Sequence, residues 1–107
     1  MENENVNLSV RTIVAPSEVI FFEANINYTL IHYLTHSEIV AISLKQVEQR
    51  VKEFRFCRIH KSYLVNLDYI ASVNSRYELE MANKRSLAIA RRKAATIRRM
   101  MKSKRAA

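Results

Sequence analysis

No glycine occurs anywhere in the 107 residues, and proline occurs only once. Glycine reaches left-handed backbone angles at no steric cost, so every tight turn of this chain must use Asn, Asp, Ser or ordinary residues. The absence also excludes a Walker A loop and a Rossmann fingerprint, because both need glycine where the backbone approaches a phosphate. The common classes of nucleotide-binding enzyme are therefore excluded.

Length and composition predict a single domain with its own core. A chain of 107 residues with 49% apolar residues fits one domain and buries a real core. One cysteine excludes a disulfide framework, and no Cys/His cluster has the spacing of a zinc site. No apolar run approaches the roughly 18 residues of a membrane span. Residues 1–5 are polar and acidic, unlike a signal peptide, and we expect a disordered start in a cytoplasmic protein without a cofactor.

Positive charge is concentrated in the last quarter of the chain. Residues 1–80 hold ten acidic and eight basic residues, whereas residues 81–107 hold ten basic residues and no acidic one. Such a segment attracts a polyanion, with nucleic acid as the first expectation and an acidic membrane surface as the second. A solvated tail that keeps the protein soluble is the simpler alternative. Charge alone does not separate DNA from RNA.

Alternating apolar and polar residues predict mostly short strands. Val6, Leu8 and Val10 alternate with polar residues, and residues 28–34 are rich in aromatic and β-branched side chains. Further strands are predicted at residues 18–23, 39–42, 56–65, 70–73, 77–81 and 87–89, with turns at residues 25–27 and 83–84.

Two helices interrupt this pattern. Ser43 and Gln46 have the spacing of a capping box, and the apolar residues that follow fall on one face of a helix of about three turns. After Ala90 the composition favours a basic C-terminal helix.

The candidate catalytic residues form no recognisable constellation. No acidic residue accompanies His32, His36 or His60 in a known motif, which indicates structural or surface roles. Cys57 and His60 are an odd number of positions apart, so in one strand their side chains point to opposite faces. The sequence therefore does not predict an enzyme.

The stretch from Phe56 to Asn66 (FCRIHKSYLVN) is the most distinctive part of the sequence. It resembles the pattern F-x-R-[IV]-H-[RK]-S-[YF]-[LI]-V-N of the LytTR family of bacterial DNA-binding domains. Residues 19–28 are similar to the family's strand and loop around E-A-x-x-N-Y, residues 43–51 match its helix, and residues 90–92 stand at its Ser-Arg-Arg element. The resemblance covers most of the chain.

The resemblance implies a mainly β fold, an elongated stack of small antiparallel sheets with one short internal helix and a basic C-terminal helix. We expect the LytTR-type domain at residues 6–101 and a basic tail at residues 102–107. Family members read DNA with loops, which implies base contacts from the loop Asn25, Asn27 and Thr29, from Lys61, and from Arg91.

Further cations suit the phosphate backbone, whose contacts fix register without reading sequence. These are Lys84, Arg85, Arg92 and Lys93. The resemblance implies a transcription regulator on paired promoter sites, with double-stranded DNA as partner and a homodimer as one form on those sites. We expect its control to come from its own abundance, from dimerisation or from a separate regulatory protein. The residues before the first strand are too few for a receiver domain, so we expect a stand-alone form. The alternatives are a basic RNA-binding or nonspecific nucleoid module and, more weakly, a membrane-surface adaptor anchored by Ile97, Met100 and Met101.

Overall fold

The computed structural model describes residues 4–106, with side chains through residue 102. The elements in chain order are the strands and helices β1 (Val6–Ser9), β2 (Thr12–Val14), β3 (Phe21–Asn25), β4 (Tyr28–His32), β5 (Ser37–Val40), α1 (Leu44–Arg50), β6 (Phe56–His60), β7 (Tyr63–Asn66), β8 (Ile70–Ser75), β9 (Glu78–Met81), β10 (Ser86–Ala88) and α2 (Ala94–Ala106). Single 3₁₀ turns lie at Pro16–Glu18, Leu67–Tyr69 and Arg91–Lys93. The predicted mainly β class is confirmed.

The strands form three antiparallel sheets. The central sheet has five strands in the order β5-β4-β3-β7-β6, β8 to β10 form a second sheet in the order β10-β9-β8, and β1 pairs with β2. Sequence-adjacent strands pair almost everywhere, and the exception is β3, whose partners on β7 lie 40 to 44 positions further along the chain. That long-range pairing brings two distant sequence motifs side by side.

The central sheet separates two hydrophobic cores. Successive residues of a strand point to opposite faces, and Phe21 accordingly belongs to one buried cluster while Phe22 belongs to the other. Phe21 packs with Val65, the three-stranded sheet and α2, whereas Phe22 packs with Leu64, α1 and the β1–β2 hairpin. The molecule is thus layered on both sides of the central sheet and measures 38 × 32 × 25 Å.

The helix α1 begins where the capping box predicted. The Ser43 hydroxyl accepts from the backbone N–H of Gln46, and the Gln46 side chain accepts from the backbone N–H of Ser43 at 3.0 Å. Leu44, Val47 and Val51 are buried on its inner face. The helix has seven residues, about two turns rather than three.

The C-terminal segment is helical to Ala106. The predicted basic tail continues this helix from residue 102, and residue 107 lies outside the described residues, as do residues 1–3 of the predicted disordered start. Ile97 is buried, and Met100 and Met101 pack against the core. The proposed apolar anchors of a membrane adaptor are therefore used inside the domain, and none of the helices in residues 4–106 is long and apolar enough to cross a membrane.

Two turns contain a residue other than glycine with a positive φ angle, a conformation that glycine usually adopts. Ile26 has φ 56° and Lys84 has φ 72°. The predicted turn at residues 25–27 is present, but the left-handed angle falls on the β-branched Ile26 rather than on an asparagine. Positive φ is sterically costly for such a residue.

Candidate nucleic-acid interface

The turn between β6 and β7 presents Lys61 to solvent. His60 Nδ1 accepts a hydrogen bond from the Ser62 N–H at 3.1 Å. The Ala24 N–H donates to the Ser62 carbonyl at 2.9 Å and ties the turn to β3. We call residues 61 and 62 the Lys61 turn, because its backbone is held while the Lys61 side chain is exposed.

Arg58 holds the same turn from the other side. Its guanidinium donates to the carbonyls of His60 at 2.9 Å and Lys61 at 2.7 Å. It also donates to Glu48 Oε1 of α1 at 2.7 Å. Three acceptors therefore orient one side chain, and α1 is coupled directly to the Lys61 turn.

The sequence analysis did not single out Arg58 as a site residue. The arginine of the family pattern gave a signal, but its partner Glu48 lies ten residues away on a different element. In the structure that arginine holds the Lys61 turn in position through its hydrogen bonds and does not present its side chain freely to solvent.

Arg91 lies beside the Lys61 turn. The Ala90 N–H donates to the Ile59 carbonyl at 2.7 Å, which fixes the start of the 3₁₀ turn next to β6. The exposed Arg91 guanidinium lies over the Tyr77 ring, 5.2 Å from its centroid. A depression of about 440 Å³ is lined here by His60, Lys61, Tyr77 and residues 88–92. Lys61, Arg91 and Arg92 are thus brought together, and Tyr77 is a further residue that the sequence analysis missed.

The β3–β4 hairpin reaches the same end of the central sheet. Its exposed residues Asn25, Ile26 and Asn27 follow directly after Ala24, which is bonded to the Lys61 turn. We call this end, formed by residues 25–27, 61–62 and 91–92, the loop end.

Thr29 requires a correction. It was expected to contact bases, but its side chain is fully buried and its hydroxyl donates to the Ile42 carbonyl at 2.8 Å. A buried hydroxyl with a satisfied bond does not reach a base edge. Thr29 instead ties β4 to the segment that follows β5.

The expected phosphate contacts lie in different surroundings. Lys84 is exposed at its left-handed position in the β9–β10 turn. Arg85 is partly engaged, since its guanidinium lies 3.6 Å from Glu23 and 5.5 Å from the Phe21 ring centroid. Arg92 is exposed in the depression, whereas Lys93 is half-buried and acts electrostatically on Cys57. The four residues therefore differ in exposure and in the groups that surround them.

Glu23 is shared between Arg85 and His32. The His32 ring stacks on Phe21 with centroids 4.2 Å apart, and its Nε2 lies 2.8 Å from Glu23 Oε1. Burial lowers the pKa of His32, because it disfavours the imidazolium more than the Glu23 hydrogen bond and charge favour it. His32 is thus a structural residue that packs on Phe21 and Glu23 of the central sheet.

Cys57 does not have the surroundings of a nucleophile. Burial raises the pKa of its thiol, and the nearby positive charge of Lys93 only partly offsets that rise. The thiol is therefore protonated at neutral pH. Among the residues that the structure describes, no group of His, Cys, Asp and Glu side chains is arranged to hold a metal ion.

Known proteins resemble this chain over most of its length. The model of the LytTr DNA-binding domain matches residues 10–102. The sensory transduction protein LytT of Oceanobacillus iheyensis is 35% identical over an 80-residue alignment, which covers 69% of this chain and 32% of that protein. LytT of Bacillus subtilis is 25% identical over a 93-residue alignment, which covers 83% of this chain and 39% of that protein. The chain thus spans 32% to 39% of these relatives' length.

A solved structure shares the fold. A LytTr DNA-binding domain from Bacillus cereus superposes with a TM-score of 0.72 at 20% identity, over 94% of this chain and 97% of that one. The family is one of DNA-binding domains of transcription regulators and not of enzymes. Because the family model covers nearly all of the sequence, this chain belongs to the LytTr DNA-binding domain family.

Proposed function

We propose that this domain recognises specific double-stranded DNA sequences at promoters, with base contacts made by the loop end, and so regulates transcription in the cytoplasm. The observation that carries the proposal is the convergence of three separate loops at one end of the central sheet. Each loop contributes at least one exposed polar or cationic side chain: Asn25 and Asn27, Lys61, and Arg91.

The side-chain types at the loop end suit base edges. Arginine presents two donors to guanine O6 and N7, lysine does so less rigidly, and asparagine pairs with adenine N6 and N7. We assign these roles to Arg91, Lys61, and Asn25 with Asn27. Phosphate contacts are assigned to Lys84, Arg85, Arg92 and Lys93, since cations near a duplex fix its register without reading sequence.

Two copies of the domain acting on paired sites, and a separate protein that regulates them, complete the proposal. The chain spans a minor part of its relatives' length. The paired sites rest on the family's usual mode of action, and neither they nor the separate protein rests on a contact of this domain.

Selection of bound duplexes from a random pool tests the proposal. We expect an enriched sequence whose affinity at near-physiological salt exceeds that of a scrambled duplex by about 10³ or more. Arg91→Ala should cost about 1–3 kcal/mol and relax one base position, whereas Arg92→Ala, the matched control, should weaken all sequences alike. Paired enrichment would also give the half-site spacing.

A basic RNA-binding or nonspecific nucleoid module is the second candidate. It is favoured by Arg98, Arg99 and Lys102 of α2, which are exposed and form no ion pair with another described side chain. Equal affinity for selected and scrambled duplexes, or tighter binding of RNA of the same length, would support this candidate and contradict the first.

A further inference from the structure

A second surface feature lies apart from the loop end. A groove of about 490 Å³ runs between β8 and α2 and is lined by Val73, Ala95, Arg98, Arg99, Met101 and Lys102. It shares no residue with the depression at Lys61 and Arg91. The groove borders β8, whereas the depression is lined by residues of the β6–β7 turn, by Tyr77 and by the segment from Ala88 to Arg92.

The cations of the groove have no internal partner. Among the described side chains, three arginines elsewhere in the domain pair with carboxylates: Arg55 with Asp68, Arg58 with Glu48, and Arg85 with Glu23. Within residues 4–102, Arg98, Arg99 and Lys102 form no such pair, and α2 contains no acidic residue. Their charge is therefore available to an external anion.

The remaining walls are apolar. Val73 and Met101 are only partly buried although they pack against the core, and Ala95 is exposed. Contact with apolar walls does not stabilise a bound phosphate backbone, whereas it stabilises a ligand that buries apolar side chains against them. Methionine adds adaptability, because its unbranched side chain adjusts to different partners.

We propose that this groove docks an acidic segment of a partner protein in which carboxylates are interspersed with large apolar side chains. The carboxylates pair with Arg98, Arg99 and Lys102, and the apolar side chains lie against Val73, Ala95 and Met101. The proposal goes beyond DNA recognition and does not depend on which residues read bases. A segment bound here leaves the loop end open, so partner and DNA are held at the same time.

Fluorescence anisotropy with a short labelled peptide of interspersed Asp and Leu tests the proposal on the full chain. Two control peptides carry Ser in place of each Leu, or Lys in place of each Asp. We expect saturable binding of the Asp/Leu peptide, at least tenfold weaker binding of the Asp/Ser peptide and none of the Lys/Leu peptide. A DNA duplex bound at the loop end should not displace the Asp/Leu peptide.

Two variants of the protein locate the binding. The double variant Arg99→Glu with Lys102→Glu should weaken the Asp/Leu peptide at least tenfold. The matched control, Lys45→Glu with Lys52→Glu, makes the same charge change at exposed positions of the chain around α1 and should leave peptide binding within twofold. Ala95→Tyr fills the groove without removing a cation, and it should abolish peptide binding while DNA affinity stays unchanged.

Three results would overturn the proposal. The first is equal binding of the Asp/Leu and Asp/Ser peptides, since the apolar walls would then have no role, or no binding of either peptide, since the groove would then not take such a segment. The second is displacement of the peptide by duplex DNA. The third is an Ala95→Tyr variant that loses DNA and peptide affinity together. The last two would assign the groove to the nucleic-acid surface.

Discussion

Arg55 and Arg58 lie three positions apart and each pairs with one carboxylate, but their surroundings differ. The side chains of Arg55 and Asp68 are 58% and 56% exposed, which is the kind of pair that contributes about 0–1 kcal/mol. The Arg58 side chain is only 23% exposed and donates to two backbone carbonyls as well as to Glu48. Counting charges along the sequence treats these arginines alike, whereas the structure makes one a surface charge and the other a clamp on the Lys61 turn.

Arg58→Ala should therefore destabilise the domain by about 1–3 kcal/mol, because hydrogen bonds to a charged group are lost and two turn carbonyls lose their donor. Chemical denaturation measures this loss. Arg55→Ala removes the same side chain from the exposed pair and should cost less than about 1 kcal/mol. In a population that is still folded, Arg58→Ala should also weaken DNA binding, since the Lys61 turn is less ordered. Equal effects of the two substitutions would contradict the clamp.

Tyr77 is expected to position Arg91. An arginine over an aromatic ring is held by about 0.5–1 kcal/mol at an exposed site, so removing the ring should weaken DNA binding up to roughly fivefold. Tyr77→Leu removes the ring but retains an apolar contact with the core, whereas Tyr77→Phe retains the ring. Affinity for the selected duplex should fall for Tyr77→Leu and hold for Tyr77→Phe. If Tyr77→Phe weakened binding as much as Tyr77→Leu, the hydroxyl rather than the ring would be responsible.

At the scale of single elements, the β3–β4 hairpin contains a strained turn. Asn25 pairs with Tyr28, so Ile26 and Asn27 form a two-residue loop. Ile26 is the first of the two and has positive φ, the arrangement in which hairpins usually have glycine. Its side chain is 91% exposed, so no burial compensates for the backbone angle. The loop proposed to contact DNA is therefore held in its conformation by the pairing of the strands on either side.

Ile26→Gly should stabilise the domain by about 1 kcal/mol, because relief of the left-handed angle exceeds the extra entropy of glycine in the unfolded chain. Val10→Gly is the matched control: Val10 is fully exposed in the β1–β2 turn and does not have positive φ, so glycine there should destabilise slightly. Unfolding free energies from denaturant titration measure both. A loss of stability on Ile26→Gly would show that the turn is not strained.

Local sequence patterns predicted the positions of the helices and strands well. They did not predict the roles of residues that depend on contacts between distant segments. The capping box of α1 and the alternation in β9 depend on neighbours in sequence, and both are found where predicted. Val10 continued an apolar alternation but is exposed, because β1 ends at Ser9. Thr29 and Arg58 owe their roles to Ile42 and Glu48, which lie 13 and 10 residues away on other segments. No periodicity reports such contacts.

At the scale of the whole molecule, the contact between the central sheet and the three-stranded sheet includes a titratable group. Glu23 of β3 accepts from His32 of β4 and lies near Arg85, which immediately precedes β10. Phe21 packs beneath both, stacked on His32 and under the Arg85 guanidinium. Protonation of His32 would place a second positive charge beside Arg85 in a half-buried site. The stability of the layered fold should therefore depend on pH through this one residue.

The direction of that dependence follows from the lowered pKa of His32. Well above pH 6.5, the usual histidine value, the ring is neutral in both folded and unfolded chains, so its protonation does not affect stability there. As the pH falls below that value, the unfolded chain takes up the proton before the folded chain does, so the free energy of unfolding decreases until the folded pKa is passed. His32→Gln retains a neutral donor for Glu23 and should lose this component when denaturation is compared at about pH 7.5 and pH 5.5. His36→Gln, at an exposed histidine, should keep the wild-type difference between the two pH values. A wild-type difference that survives His32→Gln unchanged would assign the pH dependence to other groups.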